Sequence, residues 1–286
     1  LDTLPASGGD VLANSASFQV GGGFNVMAAA RRNGLPVVYL GRHGEGRFGE
    51  LARAAMQAEG IEIALAASAG KDTGLCVSLT EASTERTFIS HLGAEGELSA
   101  GDLAQIVPRF DDYVYVSGYS LLLEGKAQPL LDWLLALPRE IVVVFDPGPL
   151  VKAPDSALMR ALLPRIDIWT SNGPEALAFT GAADMTQALP MLNQHLQALL
   201  VVRDGPNGCW VGRGAQIEHV PGFKVQAVDS NGAGDAHAGV FIAGLAKGLN
   251  PAEAARRANA AAALAVTRWG PATSPGTAEV DALVTE

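Results

Sequence analysis

Short blocks of consecutive apolar residues alternate along this chain with longer stretches whose apolar positions recur every three or four residues. The blocks at 37–40, 113–117, 141–146, 166–170, 199–203 and 209–211 are bounded by turn formers and read as strands. Helical spacing predicts helices at 25–33, 48–59, 125–137, 155–163, 174–180, 185–195, 234–247 and 251–266. Gly34, Gly60, Gly181 and Gly248 stand where four of them end. This order predicts an α/β fold in three layers, with helices on both faces of a mainly parallel sheet. Two segments break the alternation. Residues 9–20 read as a strand-rich ribbon, and 73–92 as a β-hairpin turning at Glu81-Ala82-Ser83-Thr84-Glu85. Segments 8–21 and 72–93 are therefore expected to form a small β-sheet lid on a single domain spanning 1–286. The opening Leu1-Asp2-Thr3-Leu4-Pro5 reads as the middle of a pattern, so a further strand is expected upstream.

Composition narrows the class. Of the 286 residues, 48% are hydrophobic and 17% charged, enough apolar surface for a large layered core. A net charge of −10 argues against nucleic acid or an anionic membrane as partner. A nucleotide remains compatible, because amide dipoles and a metal ion can bind phosphate locally. Cys76 and Cys209 belong to no CxxC or Cys/His cluster, which predicts free thiols and a reducing, cytoplasmic setting. The longest apolar run, 258–266, contains Asn259 and is too short for a bilayer, and no signal peptide is visible.

Candidate chemistry concentrates at Asp229-Ser230-Asn231-Gly232-Ala233-Gly234-Asp235, a polar glycine-rich turn that opens a helix. The amides of Gly232, Ala233 and Gly234 fall where a helix leaves N–H groups unpaired and its dipole positive, a pocket for a phosphoryl group. Asp235 beside them is placed to accept an alcohol's proton, and its position at a helix N-terminus predicts an ionised carboxylate; it would serve equally as a cap. Gly21-Gly22-Gly23-Phe24-Asn25 also enters a helix, with Asn25 either facing a polyol or acting as N-cap. Asn172-Gly173-Pro174-Glu175 reads either as a pair reaching a Mg²⁺-bound water or a phosphate, or as a capping pair around a first-turn proline. Gly44-Glu45-Gly46-Arg47-Phe48-Gly49 spells GxGxxG and is the strongest signal for a nicotinamide-binding enzyme. Against it, Gly41-Arg42-His43 intervenes after the strand, where the pyrophosphate turn should follow directly. The five histidines are scattered, with His237 facing either the site or the sheet.

Taken together, these motifs resemble the ribokinase (PfkB-type) family of carbohydrate kinases over essentially the whole chain. The turn at 229–235 is similar to that family's C-terminal signature and the helix start at 21–25 to its N-terminal one. Asn172 and Glu175 match its NxxE motif, and Asp146-Pro147, Gly205-Pro206-Asn207-Gly208 and the tail from Ala258 to Gly270 follow in order. The resemblance implies a ribokinase-like fold and ATP-dependent phosphorylation of a hydroxyl, a primary one, on a small carbohydrate. It makes Asp235 the general base, Gly232, Ala233 and Gly234 the anion hole, and Gly21, Gly22, Gly23 and Asn25 the sugar contacts. It places Asn172, Gly205, Gly208, Asn231, Gly234 and Asn259 around ATP, and Glu175 on Mg²⁺ through water. Asp229, Asn231, Ala265, Gly270 and Ser274 resemble the positions that hold a monovalent cation, K⁺, in many members. A homodimer through the lid is implied as well. The chain departs from the pattern at Gly22, where ribokinases often carry Lys, at Glu45-Gly46, and at Arg203-Asp204, where a Thr-containing pair is usual. The alternatives are a nucleoside kinase with Phe18, Leu75 and Phe88 as a base shelf, or a non-catalytic sugar or nucleotide sensor.

Overall fold

The computed structural model describes residues 1–81, 86–152 and 155–285. Positions 82–85 of the turn expected at 81–85 lie outside the described residues. The strands are β1 (Val38–Tyr39), β2 (Glu62–Ile63), β3 (Leu75–Thr80), β4 (Arg86–His91) and β5 (Tyr113–Ser117). They continue with β6 (Val142–Asp146), β7 (Ile168–Asn172), β8 (Leu199–Arg203), β9 (Gly208–Arg213) and β10 (Gln216–Pro221). The helices begin with α1 (Gly23–Arg32), α2 (Arg47–Ala58), α3 (Ala100–Leu103), α4 (Glu124–Ala136) and α5 (Ala157–Leu162). They end with α6 (Gly173–Thr180), α7 (Met185–His195), α8 (Ala233–Ala246), α9 (Pro251–Ala265) and α10 (Thr277–Thr285).

A six-stranded sheet in the order β10-β9-β8-β7-β6-β5 carries the fold. β5 to β8 run parallel, and β9 and β10 continue the sheet antiparallel. Successive side chains on a strand point to opposite faces. Val143 and Phe145 accordingly enter one core with Trp169, Leu134 and Leu192, while Val144 packs on the other side with Val201, Phe241 and Ala258. Helices α4 to α7 thus cover one face and α8 and α9 the other, the expected three layers.

Helix α8 is buried along almost its whole length, from Ala236 to Gly244. Such a helix meets a neighbouring backbone only where its side chains are small. A Cβ on Gly239 would stand 2.5 Å from the Val26 carbonyl oxygen and 2.7 Å from the Ala29 Cβ. The backbones of α1 and α8 therefore touch, which sets the first turns of the two helices side by side.

Three expectations are corrected. Residues 9–20 contain no strand and are mostly exposed, so the antiparallel lid sheet is the hairpin β3–β4 alone. A ribbon needs a partner edge, and β3 and β4 pair with each other from Leu75↔His91 to Thr80↔Arg86. The block at 37–40 contributes only Val38–Tyr39, which pairs with Glu62–Ile63 in a separate two-stranded sheet. Helix 155–163 shortens to Ala157–Leu162, because Ser156 caps it by accepting from the Met159 amide. Two strands escaped the pattern reading: β2 is only two residues long, and β10 is a largely polar, exposed strand.

Candidate active site

Two helix starts, far apart in sequence, build the centre. Gly22, with φ +62°, is the N-cap of α1, so Asn25 lies inside the first turn and is not the cap. Released from capping, the buried Asn25 donates from Nδ2 to Asp235 Oδ2 at 2.8 Å. Its Oδ1 has no hydrogen-bond partner among the described residues. At α8 the N-cap is Gly232, with φ +75°. A Cβ there would overlap the Pro271 carbonyl oxygen, so only glycine lets loop 270–275 close under the turn. Asp235 follows in the first turn with its carboxylate turned toward α1 rather than capping its own helix.

Burial pushes the Asp235 carboxyl up to about 6, against the stabilising bond from Asn25 and with a further push from Asp146. The sequence reading had the helix N-terminus keep this group ionised. Desolvation outweighs that dipole, and the result is a carboxylate poised near neutrality, as a general base requires.

The C-terminal ends of the parallel strands supply the floor. Ser117 pairs in register with Asp146, and Asn172 with Arg203. Asn172 and Glu175 form a reciprocal capping box: Asn172 Oδ1 accepts from the Glu175 amide at 2.8 Å and Glu175 Oε2 from the Asn172 amide at 2.9 Å. The capping alternative is therefore realised, and it fixes Glu175 in the first turn of α6, beyond the C-terminal end of β7. Burial raises the Glu175 carboxyl, with the nearby Asp146 charge adding to the effect. Arg203 donates to Thr170 Oγ1 at 2.6 Å and to Asp146 Oδ2 at 3.2 Å, and lies 3.9 Å from Glu175 Oε2. Burial opposes the Arg203 charge, but Asp146 and Glu175 outweigh it and hold the guanidinium protonated. Sequence reasoning treated Arg203 only as a departure from a motif. The available signal was a cation closing the apolar strand Leu199-Leu200-Val201-Val202.

The remaining candidates sort into two neighbouring groups. Gly205, with φ +54°, faces open space, whereas a Cβ on Gly208 would overlap the Val220 carbonyl oxygen. Asn259 is buried, donates to the carbonyls of Val220 and Pro221 at 3.0 and 3.2 Å, and meets His237 Nε2 at 3.1 Å. Its amide thus braces the end of β10. His237 faces the interior, where burial depresses it to about 3 and keeps it neutral. In the second group, Asp229 accepts from the amides of Asn231 and Gly270 at 2.8 and 3.0 Å. The carbonyls of Ala265 and Gly270 lie 3.0 and 3.5 Å from Thr273 Oγ1, and Ser274 is buried beside them. Arg32 pins this loop to α1 through the carbonyls of Ala272 and Ser274 at 2.8 and 2.9 Å.

In the GxGxxG segment the glycines pack around a side chain of this same chain. Asp72 fills the start of α2, accepting from the amides of Phe48 and Gly49 at 3.1 and 2.8 Å. Side chains at Gly44, Gly46 or Gly49 would collide with Asp72 or with Gly44 itself. The glycines serve an internal carboxylate, so the amides a pyrophosphate would need are taken. Phe18, Leu75 and Phe88 are 74%, 36% and 55% exposed, and Phe18 stacks under Arg47 at 5.3 Å. No helix among the described residues is long and apolar enough to cross a membrane.

A glycine-opened helix and a buried carboxylate beside the C-terminal ends of parallel strands suit a phosphotransferase with an alcohol as acceptor. Residues 3–278 match the pfkB family carbohydrate kinase model, and the chain belongs to that family of ATP-dependent sugar and nucleoside kinases. It is 32% identical over 272 residues to the uncharacterized sugar kinase YegV of Escherichia coli (strain K12), covering 93% of this chain and 84% of that one. It is 29% identical over 261 residues to the ribokinase of Haemophilus influenzae, covering 87% and 81%. The ribokinase structure from Thermotoga maritima superposes with a TM-score of 0.81 at 22% identity, over 100% of this chain and 94% of that one. The fold is ribokinase-like.

Proposed function

We propose that this kinase transfers the γ-phosphoryl group of ATP to a primary hydroxyl of a small carbohydrate, with Asp235 as general base. The observation that carries the reading is the Asn25–Asp235 bond, which aims a carboxylate poised near neutrality beside the first amides of α8. Gly21, Gly22, Gly23 and Asn25 line the acceptor side, and the amides of Gly232, Ala233 and Gly234 receive the equatorial oxygens. Each well-placed donor of this kind contributes on the order of 3 kcal/mol. Asp235 takes the hydroxyl proton as the new O–P bond forms and ADP leaves.

Among the described residues no cluster of three or more His, Cys, Asp or Glu makes a ready metal site. The cleft nevertheless suits Mg²⁺ arriving with the nucleotide, because Glu175 is a desolvated carboxylate with Asp146 across from it, hard oxygen donors both. Glu175 would hold the ion through water, with Asn172 beside the phosphates. Mg²⁺ supplies charge neutralisation at the phosphate oxygens. The converging carbonyls of Ala265 and Gly270, with Asp229, Asn231 and Ser274, make an oxygen-rich loop that fits K⁺. An ion there would stiffen the turn that carries the anion hole. Gly205, Gly208 and Asn259 border the nucleotide.

In this reading the hairpin β3–β4 closes over the acceptor and excludes water. Its exposed Val77 stands opposite Ile89, 44% and 60% exposed, an apolar lid face that supports pairing with a second copy. Light scattering of Val77→Asp would then report a monomer.

A coupled ADP-release assay over sugars, sugar acids and nucleosides tests the assignment. Turnover with a sugar supports it; turnover with nucleosides alone makes the chain a nucleoside kinase. ATP binding with no ADP release from any acceptor makes it a sensor and refutes the reading.

A further inference from the structure

The floor of the site contains a cation to which the base and anion hole assign no role. Asp146 and Glu175 flank a single guanidinium, that of Arg203, at 3.2 and 3.9 Å, and the Asp235 carboxylate feels its charge. Two carboxylates on one cation, with Asp235 a third acid nearby, leave the site negative before any polyphosphate arrives. That is a poor place for a nucleoside triphosphate unless the cation is spent on it.

Arg203 is held where that use is open. Its side chain is 13% exposed. A Cβ on Gly234, the last glycine of the hole, would stand 3.4 Å from Arg203 Nε, 3.5 Å from Cζ and 3.6 Å from Nη2. The guanidinium therefore lies against the backbone that would cradle the transferring group. An arginine has five N–H donors. Two are used, one by Thr170 and one by Asp146, and Nε makes no hydrogen bond among the described residues. Thr170 and Asp146 anchor the fork from the sheet side, so the unused donors are left for the helix side. A simple ion-pair strut for Asp146 would have no need to sit on Gly234. Buried ion pairs are also seldom worth their desolvation for stability alone.

We propose that Arg203 is a catalytic residue that donates to the γ-phosphoryl oxygens and follows them through transfer. This rests on the kinase reading above. As the acceptor oxygen bonds to phosphorus, the bond from phosphorus to the bridging oxygen breaks, and ADP leaves with that electron pair. The hydroxyl proton passes to Asp235, and Arg203 keeps its own protons throughout. Its role is to balance charge on the oxygens in flight, which ADP lacks and ATP presents. Arg203 therefore discriminates the triphosphate from the diphosphate.

The test compares ATP and ADP affinities by calorimetry with Mg²⁺ present, alongside kcat, for Arg203→Lys, Asp146→Asn and the double variant Asp146→Asn/Arg203→Met. The double variant removes the carboxylate that Arg203→Met alone would strand. Relative to Asp146→Asn, it should lose ATP affinity by about tenfold more than ADP affinity, and kcat by about 10²–10³-fold. Lysine keeps the charge without the fork, so Arg203→Lys should fold normally and lose roughly tenfold in kcat. Equal losses of ATP and ADP affinity, or a folded double variant with kcat within about threefold of Asp146→Asn, would overturn the proposal. Failure of the kinase reading would look different: the wild type itself would release no ADP with any acceptor.

Discussion

Replacing Asp235 by asparagine should separate chemistry from stability. The folded protein moves this carboxyl from 3.8 to about 6, chiefly by burial. At about 1.4 kcal/mol per pH unit, its charged form is disfavoured in the fold by about 3 kcal/mol. Between 3.8 and about 6 the folded chain holds a proton that the unfolded chain has released. The wild type therefore loses stability as pH rises through that window and does not regain it above. Asparagine has no proton to lose, and its Oδ1 can still accept from Asn25 Nδ2. Asp235→Asn should match the wild type near the acid end and exceed it at about pH 8. At about 2 °C per kcal/mol for a chain of this size, the gain is about 6 °C in Tm by scanning fluorimetry. In the same variant kcat should fall by about 10²–10⁴-fold while ATP affinity stays within about threefold. A Tm difference that does not change with pH would refute the buried-base argument. A kcat within about tenfold of the wild type would refute the base itself.

Three further outcomes follow from the same geometry. Asn25→Ala removes the hydrogen bond that favours the charged Asp235, so the acid limb of kcat/KM should move above its wild-type midpoint near 6, read from a pH–rate profile. Gly239→Ala drives a methyl into Val26 and Ala29, so Tm should fall by about 2–6 °C, from about 1–3 kcal/mol of overpacking, and kcat should fall as α1 withdraws from α8. Asp72→Ala strips the carboxylate from the start of α2 and should cost about 1 kcal/mol in urea unfolding, with no nicotinamide binding in fluorescence titration of either form.

Much of the fold was legible because buried parallel strands are continuous apolar runs, as at Leu199–Arg203, and capped helices carry terminal signals, as at Gly181. The hairpin was legible from its alternation. The ribbon at 9–20 was not, because strand-like residues specify a strand only when an edge is free to receive them. At the site, Gly232 and Gly234 marked the glycine-opened start of α8 through local sequence. The state of Asp235 did not follow from local sequence, because it depends on burial contributed by α1 and on Asp146. Arg203 stayed hidden for the same reason: its partners Thr170, Asp146 and Glu175 come from three other elements. The GxGxxG segment was rightly set aside: glycines that make room for an internal aspartate spell the same word as glycines that make room for pyrophosphate, and only the intervening Gly41-Arg42-His43 told them apart.

The hydrogen bond between Asn25 and Asp235 joins residues 210 positions apart. A chain emerging from the ribosome must therefore carry its first helix for most of its synthesis before the partner helix exists. Helix α8, in turn, can settle only against strands already in place. The site is the last part this molecule assembles, and a chain cut short before its final helices would leave Val144 and Val201 bare on one face of the sheet, with Asp235 missing.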